Sequence, residues 1–206
     1  MQASKPGRRT LENERAADLI AIQACLDGDK EAFGVLVHRW QDRIFGAIFR
    51  MVRDRETAAD LAQETFLKAF TKLASFQGGS AFGTWLYSIA LNQVRSEMRR
   101  RSAAKNRPPL SLDALRPGDE GQDYDPAGDG PDAVEQLATR EHCELLLGAV
   151  QQLDADYREV IVLREFQDLS YDDIADTLDV PVGTVRSRLH RARADLRERL
   201  RGRVLQ

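Results

Sequence analysis

The sequence predicts an all-α fold, in which two small helical domains are joined by a flexible acidic linker and the C-terminal domain is a helix-turn-helix. Apolar residues recur at intervals of three and four on both sides of the linker, which is the spacing of one helix face. No stretch alternates with the period of two that is typical of half-buried strands. A chain of 206 residues is long enough for one mid-sized domain or two small ones.

The linker is recognised by its composition. Residues 113–132 contain seven acidic residues against a single arginine, together with four glycines and three prolines. Such a segment has too few apolar side chains to offset the entropy lost on ordering, so we expect a flexible linker over residues 103–134. The chain then divides into a mobile N-terminal tail (1–17), a first domain (18–102) and a second domain (135–206).

The first domain contains three predicted amphipathic helices. One runs through residues 33–52, a second through 56–74 and a third through 81–101, each with apolar residues along one face. Gly78 and Gly79 mark the loop between the second helix and the third. Three helices with one apolar face each can bury those faces against one another, so we expect a small bundle.

The second domain carries a helix-turn-helix signal. Ser170 and Asp173 have the spacing of a capping box and predict the start of a short helix. Pro181 and Gly183 predict a tight turn after it, and Thr184 can cap the last helix. A helix, a short turn with glycine and a second helix form the helix-turn-helix order. One apolar stripe on the last helix faces the other helices and consists of Val185, Leu189, Ala192, Leu196 and Leu200.

Positive charge is concentrated on that last helix. Residues 184–203 contain eight arginines against two acids, although the whole chain has a net charge of −3. A basic stripe on one helix is typical of a surface that binds nucleic-acid phosphates. Ser187, His190 and Arg191 point away from the apolar stripe, and Arg186 flanks them, so we interpret the helix as one that reads bases in the major groove. The alternative is a helical hairpin with a solvated, arginine-rich exterior.

The second helix of the first domain presents a different surface. Asp60, Glu64 and Leu67 lie opposite its buried stripe, and Gln63 lies at the edge. Two acids around an exposed leucine suit a docking surface for a protein better than a surface for DNA. An ordinary solvated acidic face is the alternative.

The third helix of the first domain carries aromatic, polar and basic side chains along one side. These are Trp85, Ser88, Asn92, Arg95 and Arg99. An exposed aromatic ring together with amides and arginines suits the unstacked bases and phosphates of a single strand. A place for Trp85 in the core is the alternative.

Several classes of protein do not fit the sequence. It has no run of about eighteen apolar residues and no apolar segment after the basic residues of its first ten positions, so we expect a soluble cytoplasmic protein. Cys25 and Cys143 lie far apart and outside C-x-x-C spacing, which argues against a disulfide framework or a zinc site. Because no glycine-rich phosphate loop, metal-ligand spacing or nucleophile–base set is present, we expect neither a cofactor nor an enzyme activity.

Four short segments are distinctive in their order and spacing, namely Asp60–Phe66, Phe76–Tyr87, Leu169–Ala175 and Pro181–Leu189. Together they resemble the extracytoplasmic-function sigma factors of bacterial RNA polymerase, over residues 18–200 with the acidic linker least alike. The resemblance implies an initiation factor that recruits core polymerase to specific promoters in a stress or envelope response, while catalysis belongs to the polymerase. It also implies an anti-sigma factor as a partner and no insertion into a membrane.

The resemblance implies a role for each of the three surfaces. The coiled coil of the polymerase's largest subunit would be bound by Asp60, Gln63, Glu64 and Leu67. The unpaired strand of the −10 promoter element would be captured by Phe76, Gln77, Gly78, Ser80, Trp85, Ser88, Asn92, Arg95 and Arg99. The −35 element would be read as duplex DNA by Thr184, Arg186, Ser187, Arg188, His190 and Arg191.

A rival interpretation comes from another class of protein. A two-domain helical adaptor or a dimeric repressor can use a helix-turn-helix alone, without polymerase. A repressor of that kind requires a dimerisation face, and neither rival depends on polymerase. Co-purification with core polymerase therefore distinguishes a sigma factor from either rival.

Overall fold

The structure is a computed structural model that describes the backbone of residues 8–105 and 143–201 and the side chains of residues 13–104 and 143–201. Its N-terminal part contains four α-helices, which are α1 (Arg8–Leu26), α2 (Phe33–Val52), α3 (Arg55–Lys72) and α4 (Phe82–Lys105). Single 3₁₀ turns at Lys30–Ala32 and Leu73–Ser75 precede α2 and follow α3.

The C-terminal part is also helical. Residues 143–151 form α5, and the later elements are α6 (Ala155–Ile161), a π-helical turn that continues it (Val162–Phe166), α7 (Tyr171–Leu178) and α8 (Val182–Arg201). Every regular element in the described ranges is a helix, so the all-α prediction is confirmed. Residues 106–134 of the predicted linker, and residues 135–142 of the predicted second domain, lie outside the described residues.

Helix α1 (Arg8–Leu26) is not among the helices predicted from the sequence. Residues 8–17, which composition assigns to a mobile tail, are helical in the structure. Glu14 receives two hydrogen bonds from the Arg43 guanidinium, each of 3.1 Å, and the buried Asp18 carboxylate accepts one from Arg39. Burial raises the pKa of Asp18, and Arg39 partly opposes this rise. The ion-pair partners of this helix lie on α2, more than twenty residues away along the chain. The local composition of residues 8–17 therefore does not predict it.

The N-terminal bundle depends on close packing between α2 and α4. The Trp40 indole of α2 lies edge-on to the rings of Phe82 and Tyr87 on α4, with centroid distances of 6.3 and 6.1 Å. Gly83 lies between these two aromatic residues, and a Cβ atom at that position would be 2.1 Å from a Trp40 ring carbon. The absence of a side chain at residue 83 therefore lets α4 approach the indole.

The helix-turn-helix forms largely as its turn residues predict. The Ser170 hydroxyl accepts a hydrogen bond from the Asp173 backbone N–H at 3.0 Å, which caps α7. The expected cap at Thr184 is wrong, because α8 begins at Val182. The carbonyl of Pro181 accepts from the Thr184 N–H at 2.8 Å, so Thr184 already lies within the first turn.

The two parts of the chain pack against each other, which the sequence does not predict. Side chains of the C-terminal part donate to carbonyls at the end of α2, Gln151 to Arg50 and Arg158 to Met51. These carbonyls lie in the last turn of α2, where no backbone N–H of the helix donates to them. The contacts therefore give the end of α2 hydrogen bonds that it cannot make within itself.

Helix α4 forms the rest of the contact between the two parts. The Thr84 hydroxyl donates to the Asp173 carboxylate at 3.1 Å, and the Tyr87 hydroxyl donates to the Gln167 amide oxygen at 2.6 Å. Tyr87 is buried at this contact, which raises its pKa. The same helix that resembles a DNA-binding element in sequence is therefore also the main contact with the helix-turn-helix.

Candidate nucleic-acid and protein interfaces

The predicted docking surface is an exposed face of α3. Asp60, Gln63, Glu64 and Leu67 are all exposed, and Leu67 retains 67% of its accessible surface. The Asp54 carboxylate fixes the start of the helix by accepting from the Thr57 N–H at 2.8 Å. An apolar side chain beside exposed carboxylates can combine area burial with charge complementarity to a basic partner.

Glu64 is the one acid of that face with a charged partner among the described residues. Its Oε1 lies 2.8 Å from Lys68 Nζ, one turn further along α3. Hydrogen bonding to Lys68 lowers the pKa of Glu64, so the carboxylate is ionised at neutral pH. The docking surface therefore presents a fixed negative charge.

The loop predicted to capture a base leads into a cluster of aromatic rings. The Phe76 ring lies 5.3 Å from Trp85 and 5.9 Å from Phe82, measured between centroids. Trp85 is half-buried in this cluster, so it is neither fully exposed nor fully part of the core. Gly78, at φ 71°, adopts a backbone conformation that favours glycine. The loop thus places open backbone at Gly78 and Gly79 beside half-buried aromatic rings.

The polar residues of α4 differ in how accessible they are. Asn92 and Arg99 are exposed, and the Ser88 hydroxyl donates to the Trp85 carbonyl at 2.7 Å. Arg95 instead forms a two-pronged contact with the Glu159 carboxylate of α6, with N–O distances of 2.7 and 2.6 Å. These hydrogen bonds raise the pKa of Arg95. A predicted DNA-binding arginine is therefore bound to an acid in this arrangement.

An open cleft of about 530 Å³ separates the loop from the helix-turn-helix. Phe76, Gln77 and Trp85 line one side, while Asp176 and Asp179 line the other. Carboxylates opposite the loop would repel the phosphates of an entering strand. The arrangement of the two parts therefore disfavours a strand in this cleft.

Helix α8 presents the most accessible of the predicted DNA surfaces. Arg186, Ser187, His190 and Arg191 are exposed, whereas Thr184 is half-buried. Four residues of the predicted apolar stripe are buried, namely Val185, Leu189, Ala192 and Leu196, and the last one, Leu200, is half-buried.

Arg188 departs from this pattern. It is half-buried and pairs with Asp156 of α6, so its guanidinium is already engaged. Arg193 is exposed and was not predicted to bind DNA, but its guanidinium is also engaged, 2.6 Å from Glu165. The predicted base-reading face in the first half of α8 is therefore open at Arg186 and Arg191 but not at Arg188.

Glu159 was missed by sequence reasoning. It is a buried acid with 5% of its surface exposed, and it binds Arg95 from a distance of 64 positions along the chain. The available signal is a single carboxylate directly before the apolar run Val160–Leu163. An acid in such a position is rarely buried without a cationic partner.

Comparison with known families accounts for both parts of the chain. The family described as Sigma-70 region 2 matches residues 36–104, which span most of α2 and the helices α3 and α4. The family described as Sigma-70, region 4 matches residues 143–196, from α5 into α8.

Individual relatives extend the match over most of the chain. The RNA polymerase sigma-H factor of Pseudomonas aeruginosa is 42% identical over 167 residues, which cover 81% of this chain and 84% of that protein. The ECF RNA polymerase sigma-E factor of Haemophilus influenzae is 38% identical over 87% of this chain and 93% of its own length. The chain belongs to the extracytoplasmic-function family of RNA polymerase sigma factors.

A solved structure supports the same fold. The sigma factor RpoE of Bartonella quintana, crystallised with the anti-sigma factor NepR, superposes with a TM-score of 0.64 at 27% identity. The superposition covers 83% of this chain and 98% of that one.

The family membership determines what this sigma factor does. It binds core RNA polymerase and promoter DNA and directs initiation to specific promoters, while the polymerase performs the chemistry. Among the described helices, none has both the length and the apolar character needed to cross a membrane.

Proposed function

We propose that α3 docks this sigma factor on core polymerase, that the loop at residues 76–80 and α4 capture the −10 strand, and that α8 reads the −35 duplex. The proposal assigns residues 18–102 to polymerase binding and −10 recognition, and residues 135–206 to −35 recognition. Capture of unpaired bases offsets the cost of unpairing, which is a few kcal/mol per flipped base.

The observation that supports the proposal best is the open basic face at the start of α8. Within the described residues, neither Arg186 nor Arg191 forms an ion pair, and both are exposed. A free guanidinium can bind guanine O6 and N7 with two hydrogen bonds, while Ser187 and His190 between them supply adaptable donors and acceptors. The buried stripe on the other side of α8 holds this face outward.

Regulation and location are part of the same proposal. The Bartonella relative was crystallised with an anti-sigma factor, which supports a partner of that kind for this chain. Membership of the extracytoplasmic-function family supports a role in a stress or envelope response. The protein would act in the cytoplasm, where polymerase and promoters are found.

The test is promoter discrimination by holoenzyme that carries single α8 substitutions. We expect Arg186→Ala and Arg191→Ala each to lose about 1–3 kcal/mol of discrimination between a matched and a mutated −35 element. Arg193→Ala is the matched control, because it removes the same charge from the same helix at a side chain already bound to Glu165. Binding of each holoenzyme to both promoters by fluorescence titration gives the discrimination directly.

The pattern of loss decides the outcome. If Arg186→Ala and Arg191→Ala weaken binding to matched and mutated elements equally, these arginines contact phosphates only and the proposed base reading is wrong.

A further inference from the structure

An open groove of about 460 Å³ runs between α3 and α4, beside the proposed docking surface. Asp60 and Glu64 lie on its α3 side, and Gln93, Ser96 and Glu97 lie on its α4 side. Of these residues, only Asp60 and Glu64 belong to a surface discussed above. The groove therefore connects the docking face with the interior of the bundle.

A chain of polar contacts crosses the groove from a buried residue to an exposed one. Gln93 on α4 has only 7% of its surface exposed, and its Oε1 accepts a hydrogen bond from Lys68 Nζ at 2.6 Å. The same ammonium group lies 2.8 Å from the carboxylate of Glu64, whose side chain is about half exposed. The docking carboxylate is therefore connected through Lys68 to a fixed point on a second helix.

Gln93, at the buried end of these polar contacts, has a hydrogen-bond donor that it does not use. Within the described part of the protein, Gln93 Nε2 is buried and has no hydrogen-bond partner. The Gln93 amide lies near enough to Glu64 to help lower its pKa, although Nε2 does not reach hydrogen-bonding geometry. A buried donor without a partner destabilises the fold. Stability therefore does not account for Gln93, and a role in binding can account for it.

An ion pair within one helix is too weak to fix a carboxylate by itself. Glutamate four residues before lysine is the favourable order on a helix, but exposed pairs of this kind contribute little to stability. Lys68 differs from a typical exposed lysine because the amide oxygen of Gln93 binds its ammonium group from another helix. Because its ammonium group contacts both Gln93 and Glu64, Lys68 can restrict the orientations that the Glu64 carboxylate samples before the partner binds.

We propose that Lys68 and Gln93 are positioning residues for polymerase docking, in which Gln93 holds Lys68 and Lys68 orients the Glu64 carboxylate toward the polymerase. This inference rests on the proposed docking role of α3. Pre-orientation of one side chain removes part of the ordering cost of binding, which corresponds to about a two- to tenfold gain in affinity.

The main competing role for Lys68 predicts the opposite sign. If Lys68 only neutralises Glu64, its removal exposes more negative charge to a basic partner and strengthens binding. If Lys68 orients Glu64, its removal weakens binding even though the docking face becomes more acidic. The direction of the change therefore distinguishes orientation from neutralisation.

The first experiment compares two lysines of α3 in the full-length chain. We expect Lys68→Met to weaken binding to core RNA polymerase about two- to tenfold in a fluorescence competition assay. Lys72→Met is the matched control. Lys72 is exposed and lies one turn after Lys68, in the last turn of α3, so its replacement removes the same charge. Unchanged or tighter binding by Lys68→Met, or an equal loss in both variants, overturns the proposal.

A second variant separates positioning from stability. Gln93→Met keeps the shape of the side chain and removes the unpartnered donor, so we expect thermal stability to be unchanged or higher. We expect binding to core polymerase to weaken nevertheless, because Lys68 loses its anchor. Undiminished binding, or a loss of binding that accompanies a loss of stability, overturns the proposal.

A double-mutant cycle with Glu64 distinguishes this inference from the proposed function. We expect Glu64→Gln to weaken binding, and Lys68→Met to add no further loss in that background. If Glu64→Gln binds polymerase normally, the proposed docking surface itself is wrong. If Glu64→Gln weakens binding and Lys68→Met causes the same loss with or without it, docking at α3 stands and the positioning role is wrong.

Discussion

Helices α4 and α8 are both basic and are both proposed to bind DNA, yet the structure places them in different surroundings. The proposed base-reading face of α8 is open at Arg186 and Arg191. On α4, Arg95 is bound to Glu159 and Trp85 is half-buried among other rings. The proposed face of α8 is accessible in this arrangement, whereas on α4 the contact with the C-terminal part occupies Arg95 and neighbouring rings of the N-terminal part half-bury Trp85.

The comparison shows that positive charge in the sequence does not by itself predict an available surface. Arg95 and Arg191 both lie among basic residues near the outer face of a helix. They differ because a buried carboxylate from another element reaches Arg95, whereas within the described residues none reaches Arg191. Availability is therefore determined by the long-range neighbours of each arginine.

The largest expected difference between the two helices is in how a glycine substitution changes the free energy of unfolding. Each helix has a glycine at its second position. A Cβ at Gly83 of α4 would overlap the Trp40 ring, whereas a Cβ at Gly183 of α8 meets nothing within 4 Å. We expect Gly83→Ala to lower the free energy of unfolding by on the order of 3 kcal/mol. We expect Gly183→Ala to leave it unchanged or raise it by up to about 1 kcal/mol.

Thermal and urea unfolding followed by circular dichroism measure both glycine variants. Similar stability of Gly83→Ala and Gly183→Ala would mean that α4 does not approach the Trp40 indole as closely as described.

A smaller effect is expected from releasing Arg95. Glu159→Gln keeps the size of the side chain but removes the charge that holds the guanidinium, so Arg95 becomes free to bind phosphate. We expect the free protein to bind single-stranded −10 DNA about five- to tenfold more tightly, and to unfold at a lower temperature. Fluorescence anisotropy with a labelled −10 strand measures the affinity.

The control for this variant is Glu165→Gln. Glu165 is an exposed acid that pairs with Arg193, so its removal changes the net charge equally without freeing Arg95. An equal gain in both variants would reflect general electrostatic attraction and would contradict a specific role for Glu159.

The smallest effect is expected from the corresponding pair on α8. Arg188 pairs with Asp156, but this acid is more than half exposed, whereas Glu159 is buried. Exposed ion pairs contribute about 0–1 kcal/mol, so we expect Asp156→Asn to change −35 duplex affinity by less than about fivefold. A larger change in a duplex titration would place Asp156 among the determinants of −35 binding.

The helices of this protein could be predicted from local patterns because their faces and turns are encoded locally. The stripe from Val185 to Leu196 is buried as its spacing predicts, and Ser170 caps α7 as its chemistry predicts. Phe70 is one of the apolar residues of the helix predicted over 56–74, but it is 39% exposed, with its ring beside Phe33 near the end of α3. Periodicity identifies the face of a helix but not how far its neighbours extend to cover it.

The candidate surfaces could be predicted only in part. Exposure of the α3 acids follows from helical geometry, and so does exposure of Arg186. Arg95 forms its ion pair with a residue 64 positions away, and α1 is held against α2 by ion pairs with Arg39 and Arg43. Pairings of this kind arise from tertiary structure and have no signature in a local window of sequence.

The two oxygens of the Asp173 carboxylate have different partners. Oδ2 accepts from the Ser170 hydroxyl at 2.6 Å, within the cap of α7, while Oδ1 accepts from Thr84 on α4. A substitution at residue 84 therefore removes one hydrogen bond between the two parts and leaves the cap of the helix-turn-helix intact. The contact between the two parts and the cap of α7 therefore depend on different oxygens of one side chain, so a mutation can weaken the first and keep the second.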